Sequence, residues 1–315
     1  MRKITKQQLN EIGEWISKNG RPLEVARWSY HFENGSSHEV LECLKAYQNE
    51  DGGFGHGLEC DNWTPYSSPL TSSVACKIMY EVGFRKSNPI IKNCLNYFKN
   101  NYFNIETGTW ATIVPENNDY PHAPWWSWIA DGNNTWDFNP SIEIAGFMIY
   151  WSDIGSSEEK LANICFEKAQ KHLFESEKMN FHEIWNYTHA LILAKAVPEK
   201  INLPINLMEK KIIELVLSSV CLEPSKWSTA YVAQPIDFID YINGDSNFIY
   251  SHFEDKIKEN AEFLVESLQN NGLWDITWDW ANQYPETFKI AKDYWKGVFA
   301  VEKLIKLKRL GFIEK

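Results

Sequence analysis

No apolar stretch in the 315 residues approaches the ~18 consecutive positions that a membrane span needs. The opening MRKITKQQLN has no apolar signal core, so a cytoplasmic protein is expected. Arginine is scarce: it occurs only at Arg2, Arg21, Arg27, Arg85 and Arg309, and the formal net charge is −11. A phosphate-binding face needs clustered Lys and Arg, so nucleic acid is excluded as a partner. Diphosphate substrates are disfavoured for the same reason. The six cysteines (Cys43, Cys60, Cys76, Cys94, Cys165, Cys221) form no CxxC pair and show no metal-ligand spacing. Buried reduced thiols are therefore expected, with no bound metal and no cofactor. Strand-like alternation is absent.

What the chain does have is tryptophan, 15 residues of it, and two kinds of helical pattern. One kind is apolar on a single stripe. Residues 254–268 place Ile257, Ala261, Leu264 and Leu268 together, and 205–219 do the same with Met208, Ile212 and Leu215. Segments 37–48, 88–100 and 157–176 are weaker versions of it. The other kind is apolar over more of its surface: 69–82, 140–151, 183–197, 228–242 and 287–308. Helices apolar all round are buried and one-sided ones lie outside. Adding 5–18 as an outer helix and 22–33 as an inner one gives six of each. The spacing therefore predicts an all-α, (α/α)6 toroid formed as one domain by residues 1–315.

Large aromatics follow the turns that lead inward: Phe54, Trp110, Phe181, Trp227 and Trp274. Two of these turns share more than the ring. QNEDGGF contributes Gln48, Gly52, Gly53 and Phe54, and QNNGLW contributes Gln269, Gly272 and Trp274. Glycine turns the chain sharply, the glutamine amide bridges backbone ends, and the ring plugs the seam. This Q-x(2–5)-G-x-W/F signature resembles the glutamine–tryptophan motif of squalene and oxidosqualene cyclases, and more loosely the protein prenyltransferase β subunits. The resemblance implies an α/α toroid over nearly the whole chain. The catalytic motifs of those families do not carry over: there is no D-x-D-D, no Asp-x-Cys and no D-D-x-x-D.

The loops that would line one mouth of the central cavity are rich in acids and rings. Loop 55–68 carries His56, Glu59, Asp61 and Trp63. Loop 111–139 carries His122, Trp125, Trp126, Trp128, Trp136 and Asp137, and segment 274–286 carries Trp278 and Asp279. Long loops inside a compact domain are usually functional. Glu59 or Asp61, with Asp279 as the alternative, is the expected catalytic acid. His56, Trp63, His122, Trp125, Trp126, Trp128, Asp137, Trp185 and Trp278 are the expected ligand contacts. Each has a plainer reading: a loop carboxylate can cap a helix, Glu143 can face water, and His189 can be a hydrogen-bonded interior residue. Three functions stay open for a small-molecule ligand in the cavity. A protonated acid can start cyclisation or isomerisation of a neutral apolar substrate, with rings steadying the cation. Paired carboxylates and stacking tryptophans can hydrolyse glycosides. The toroid can also bind without catalysis.

Overall fold

A computed structural model describes residues 2–239 and 248–314, and the side chains of residues 269–271 lie outside the description. Among the described residues the chain forms eleven α-helices, α1 (Lys6–Asn19), α2 (Pro22–Phe32), α3 (Ser37–Lys45), α4 (Pro69–Glu81), α5 (Pro89–Asn100), α6 (Ser141–Trp151), α7 (Ser157–Glu175), α8 (Phe181–Lys195), α9 (Ile205–Ser219), α10 (Tyr250–Asn271) and α11 (Pro285–Arg309). The only sheet among them is a two-residue antiparallel ladder, Phe103–Asn104 with Thr109–Trp110. No helix among the described residues is long and apolar enough to cross a membrane.

Eleven of the twelve expected helices are therefore present. The exception is the segment expected to be helical over 228–242. There the described chain forms one 3-10 turn, Pro235–Phe238, and residues 240–242 lie outside the description. Pro235 has no N–H to donate and disfavours helix at the residue before it. Gln234 is extended, and its side chain donates to the Trp227 carbonyl and accepts from Asn260. Phe181, which follows the connection from α7, opens α8, capped by the Asn180 side chain.

Contacts divide the chain into two compact units, Tyr47–Ser219 and Met1–Ala46 with Val220–Lys315. In the first unit the two kinds of helix separate cleanly. Ten of the eleven residues of α6 are buried, and ten of thirteen in α4. In α7 only six of nineteen are buried, and in α9 four of fifteen. The rich helices α4, α6 and α8 pack in that order, and the one-sided α5, α7 and α9 do likewise. Two layers result, with the apolar helices inside as their patterning requires. In the second unit α2 packs on α1, α3 and α11. Its buried Glu24 binds Arg21 at 2.6 Å and lies 3.9 Å from Arg27, so two of the scarce arginines are occupied structurally.

The glutamine–glycine turn works as a staple. Gln48 Nε2 donates to the Gly52 carbonyl at 2.9 Å and to the Ile90 carbonyl of α5 at 3.1 Å. Gly52 has φ 91° and Gly272 has φ 78°, a region that side chains with Cβ avoid. The aromatic after each turn does more than fill space. The Trp110 indole donates to the Phe98 carbonyl near the end of α5, and the Trp274 indole to the Leu264 carbonyl of α10. Their backbones are tied forward as well: Phe54 N–H donates to Ser72 Oγ of α4 and Trp110 N–H to Ser141 Oγ of α6.

Candidate functional site

Two stitched loops of the Tyr47–Ser219 unit bring residues 61–63 beside residues 121–123. Asp61 carbonyl accepts from Ala123 N at 2.8 Å, and Trp63 N donates to Pro121 O at 3.0 Å. Glu59 and Asp61 are buried, and Glu59 Oε2 accepts the Asp61 N–H at 2.9 Å. The Trp63 indole donates to the Cys60 carbonyl. His122 is buried, with its ring nitrogens 2.7 Å from Tyr120 O and 3.0 Å from Ser127 Oγ. Trp126 stacks on Trp136 with centroids 4.8 Å apart and planes 18° apart, while Trp125 and Trp128 are half-buried. His56 is exposed at φ 57° and bonded to Asn49 Oδ1, and Asp137 is exposed at φ 47°.

Asp279 and Trp278 belong to the other unit. The Asp279 side chain is exposed and accepts the Ala281 N–H at 2.7 Å, the pattern of a turn-forming aspartate. Trp278 packs edge-on against Tyr231, Trp295 and Phe299.

The most concentrated chemistry lies on the inner helices, where the sequence reading placed only Trp185. Glu143 does not face water: it is 0% exposed. It sits in the first turn of α6, where the helix dipole favours an anion. Its Oε1 lies 2.7 Å from His189 Nδ1 on α8, and its Oε2 lies 3.1 Å from Lys77 Nζ on α4. The Lys77 contact is ionic, without hydrogen-bond alignment. Burial alone would raise the Glu143 carboxyl. The Lys77 ammonium and the His189 imidazole outweigh it and hold the group below the usual carboxylate range. The Lys77 and His189 side chains remain 33% and 21% exposed, so solvent reaches one side of the cluster.

Two further α8 residues share this face by spacing, since 182, 185 and 189 follow i, i+3, i+7. Burial, aided by the charge of Lys77, pushes His182 down to about 4, which keeps it neutral near pH 7. Trp185 is half-buried, 4.9 Å edge-on from Phe181 and 4.8 Å from His182. A signal for this site was present in the sequence. Lys77 and Glu143 are charges within helices that are mostly buried, and a charge on a buried helix needs a partner.

The arrangement joins an ionised carboxylate to an imidazole and an ammonium on three successive inner helices, beside a neutral histidine and an indole. A carboxylate on Nδ1 fixes the tautomer and orientation of the imidazole, the arrangement of a positioned general base. No protein-family description, no curated protein and no solved structure matches the chain.

Proposed function

We propose that residues 1–315 form a toroid of the kind seen in squalene cyclases and prenyltransferase β subunits, with the 3-10 turn Pro235–Phe238 in the segment expected to form the fifth inner helix. Its inner-helix site catalyses proton transfer, an isomerisation, on a neutral small molecule with an apolar body and a carbonyl or comparable oxygen. His189 is the base, Glu143 the group that orients it, and Lys77 the cation that steadies charge developing on the substrate oxygen. Trp185 and neutral His182 contact the remainder. The observation that carries this reading is the Lys77–Glu143–His189 cluster spanning α4, α6 and α8. An ionised Glu143 is unsuited to protonating an alkene, which moves the balance from acid-started cyclisation to base-started isomerisation.

The test is solvent-deuterium exchange into a panel of cyclic and terpenoid ketones, followed by proton NMR. Wild-type protein should exchange protons next to the carbonyl of at least one ketone, and His189→Gln and Glu143→Gln should slow that exchange by at least tenfold. Exchange undiminished in His189→Gln would refute the assignment.

The stacked Trp126–Trp136 pair favours a second reading, sugar binding at the rim with Glu59 and Asp61 as the acid pair. Stabilisation of the protein by oligosaccharides but not by ketones, lost in Glu59→Gln and Asp61→Asn, would select it.

A further inference from the structure

A second imidazole–carboxylate cluster lies elsewhere in the Tyr47–Ser219 unit. His172 is in the last turn of α7 and Glu183 in the first turn of α8, so the short connection between the helices sets them side by side. Asp137 comes from the long loop that precedes α6. One ligand-capable atom from each of the three lies within 4.8 Å of the others. Among the described residues this is the only convergence of three or more His, Cys, Asp or Glu side chains. His56, Cys60, Asp61 and His122, the set that loop composition would suggest for a metal, do not converge.

We propose that Asp137, His172 and Glu183 bind one divalent first-row transition-metal ion. The His172 Nε2 to Glu183 Oε1 distance is 3.1 Å. Two neighbouring ligands at right angles, each with a metal bond of ~2.1 Å, stand roughly 3 Å apart. Small movements of these side chains therefore admit an ion between them. A simple ion pair would account for His172 and Glu183 but not for Asp137. Two carboxylates beside one imidazole gather negative charge at one point of the unit. A dication with neutral imidazole balances both carboxylates.

The surroundings hold the ligands in place. Phe138 N–H donates to Glu183 Oε1 at 3.1 Å, and the Phe138 ring packs 5.3 Å from the His172 ring. Such contacts orient metal ligands and sharpen their geometry. The donor set, one imidazole with two carboxylates, suits manganese, zinc or cobalt more than the all-oxygen cages of calcium. With Asp137 exposed and Glu183 buried, three protein ligands leave the outward positions to water or to a ligand oxygen.

Full-length protein stripped with chelator would be titrated with manganese(II) in a calorimeter, and the complex examined by pulsed electron paramagnetic resonance. One equivalent should bind, with modulation from a directly bound imidazole nitrogen. Asp137→Asn and His172→Gln should each weaken binding at least tenfold, and His172→Gln should remove the nitrogen signal. Asp131→Asn, an exposed acid in the same loop, should leave the affinity unchanged. Asp137 is on the surface, so its variant should fold and is decisive even if His172→Gln does not. Failure of manganese, zinc and cobalt to bind at millimolar concentration would overturn the proposal. Binding that survives Asp137→Asn intact, or is lost equally in Asp131→Asn, would also overturn it.

Discussion

Replacing Glu143 by Gln keeps the size of the side chain and removes its charge. Lys77 then faces the interior with no anion at 3.1 Å, and the His189 Nδ1 contact at 2.7 Å falls to an amide. Removing one partner from a buried ion pair typically costs ~3–5 kcal/mol. Lys77 and His189 keep 33% and 21% side-chain exposure and recover part of their hydration, and Gln retains a hydrogen bond. The expected loss is therefore ~2 kcal/mol. With a urea dependence of ~2 kcal/mol per molar, the midpoint should fall by about 1 M, read by tryptophan fluorescence near pH 7. The difference has a pH signature. A folded carboxyl held below its ordinary 4.5 contributes stability above that pH and loses it as acid protonates the group. Wild type and variant should therefore converge below pH 4.5. A cycle with Lys77→Met separates charge pairing from packing: the double variant should lose ~1 kcal/mol less than the two single losses combined. A midpoint within error of wild type, or strict additivity in the cycle, would refute the assignment of Glu143 as an ionised keystone.

Two other outcomes are open to measurement. His182 titrates at about 4 instead of the ordinary 6.5, so the unfolded chain takes up its proton first. Its contribution is full above pH 6.5 and drains away toward pH 4, by up to ~3 kcal/mol at 1.36 kcal/mol per unit. His182→Gln should flatten the pH dependence of the urea midpoint across that window, and an unchanged slope counts against the buried neutral ring. Gly53→Ala should cost ~1–3 kcal/mol by overpacking, since a Cβ there would meet Ser67 Cβ at 2.5 Å and Tyr97 Cε2 at 2.7 Å. A melting temperature equal to wild type would show that the turn gives way freely.

Much of the helix order was legible because burial leaves a period. The all-round apolarity of PSIEIAGFMIYW and the single stripe of residues 254–268 mark a buried and a one-sided helix before any contact is known. The segment 228–242 misled because STAYVAQPIDFIDYI is apolar enough for an inner helix while Pro235 interrupts it, and the proline was the better guide. The loop clusters were visible from composition, and the structure does stitch 55–68 to 120–128. Composition could not say which acids share a hydrogen-bond network. Glu143 and His189 stand 46 positions apart, and only the packing of α6 on α8 brings them to 2.7 Å. The serine hydroxyls that receive the Phe54 and Trp110 N–H groups were hidden for the same reason: a small polar residue in a buried helix names no partner.

Stacked helical repeats behave as a chain of coupled spins, each with its own stability and a term shared with its neighbour. Gln48 belongs wholly to neither kind of term. Its amide closes its own turn through Gly52 and reaches the first turn of α5 through Ile90. The indole of Trp110 fastens its turn back to α5 while its N–H fastens it forward to α6. These side chains transfer stability from within each repeat to the boundary between repeats. Helix pairs tied mainly at their boundaries unfold together instead of fraying, and within Tyr47–Ser219 no single pair can be excised without leaving its neighbour unlatched.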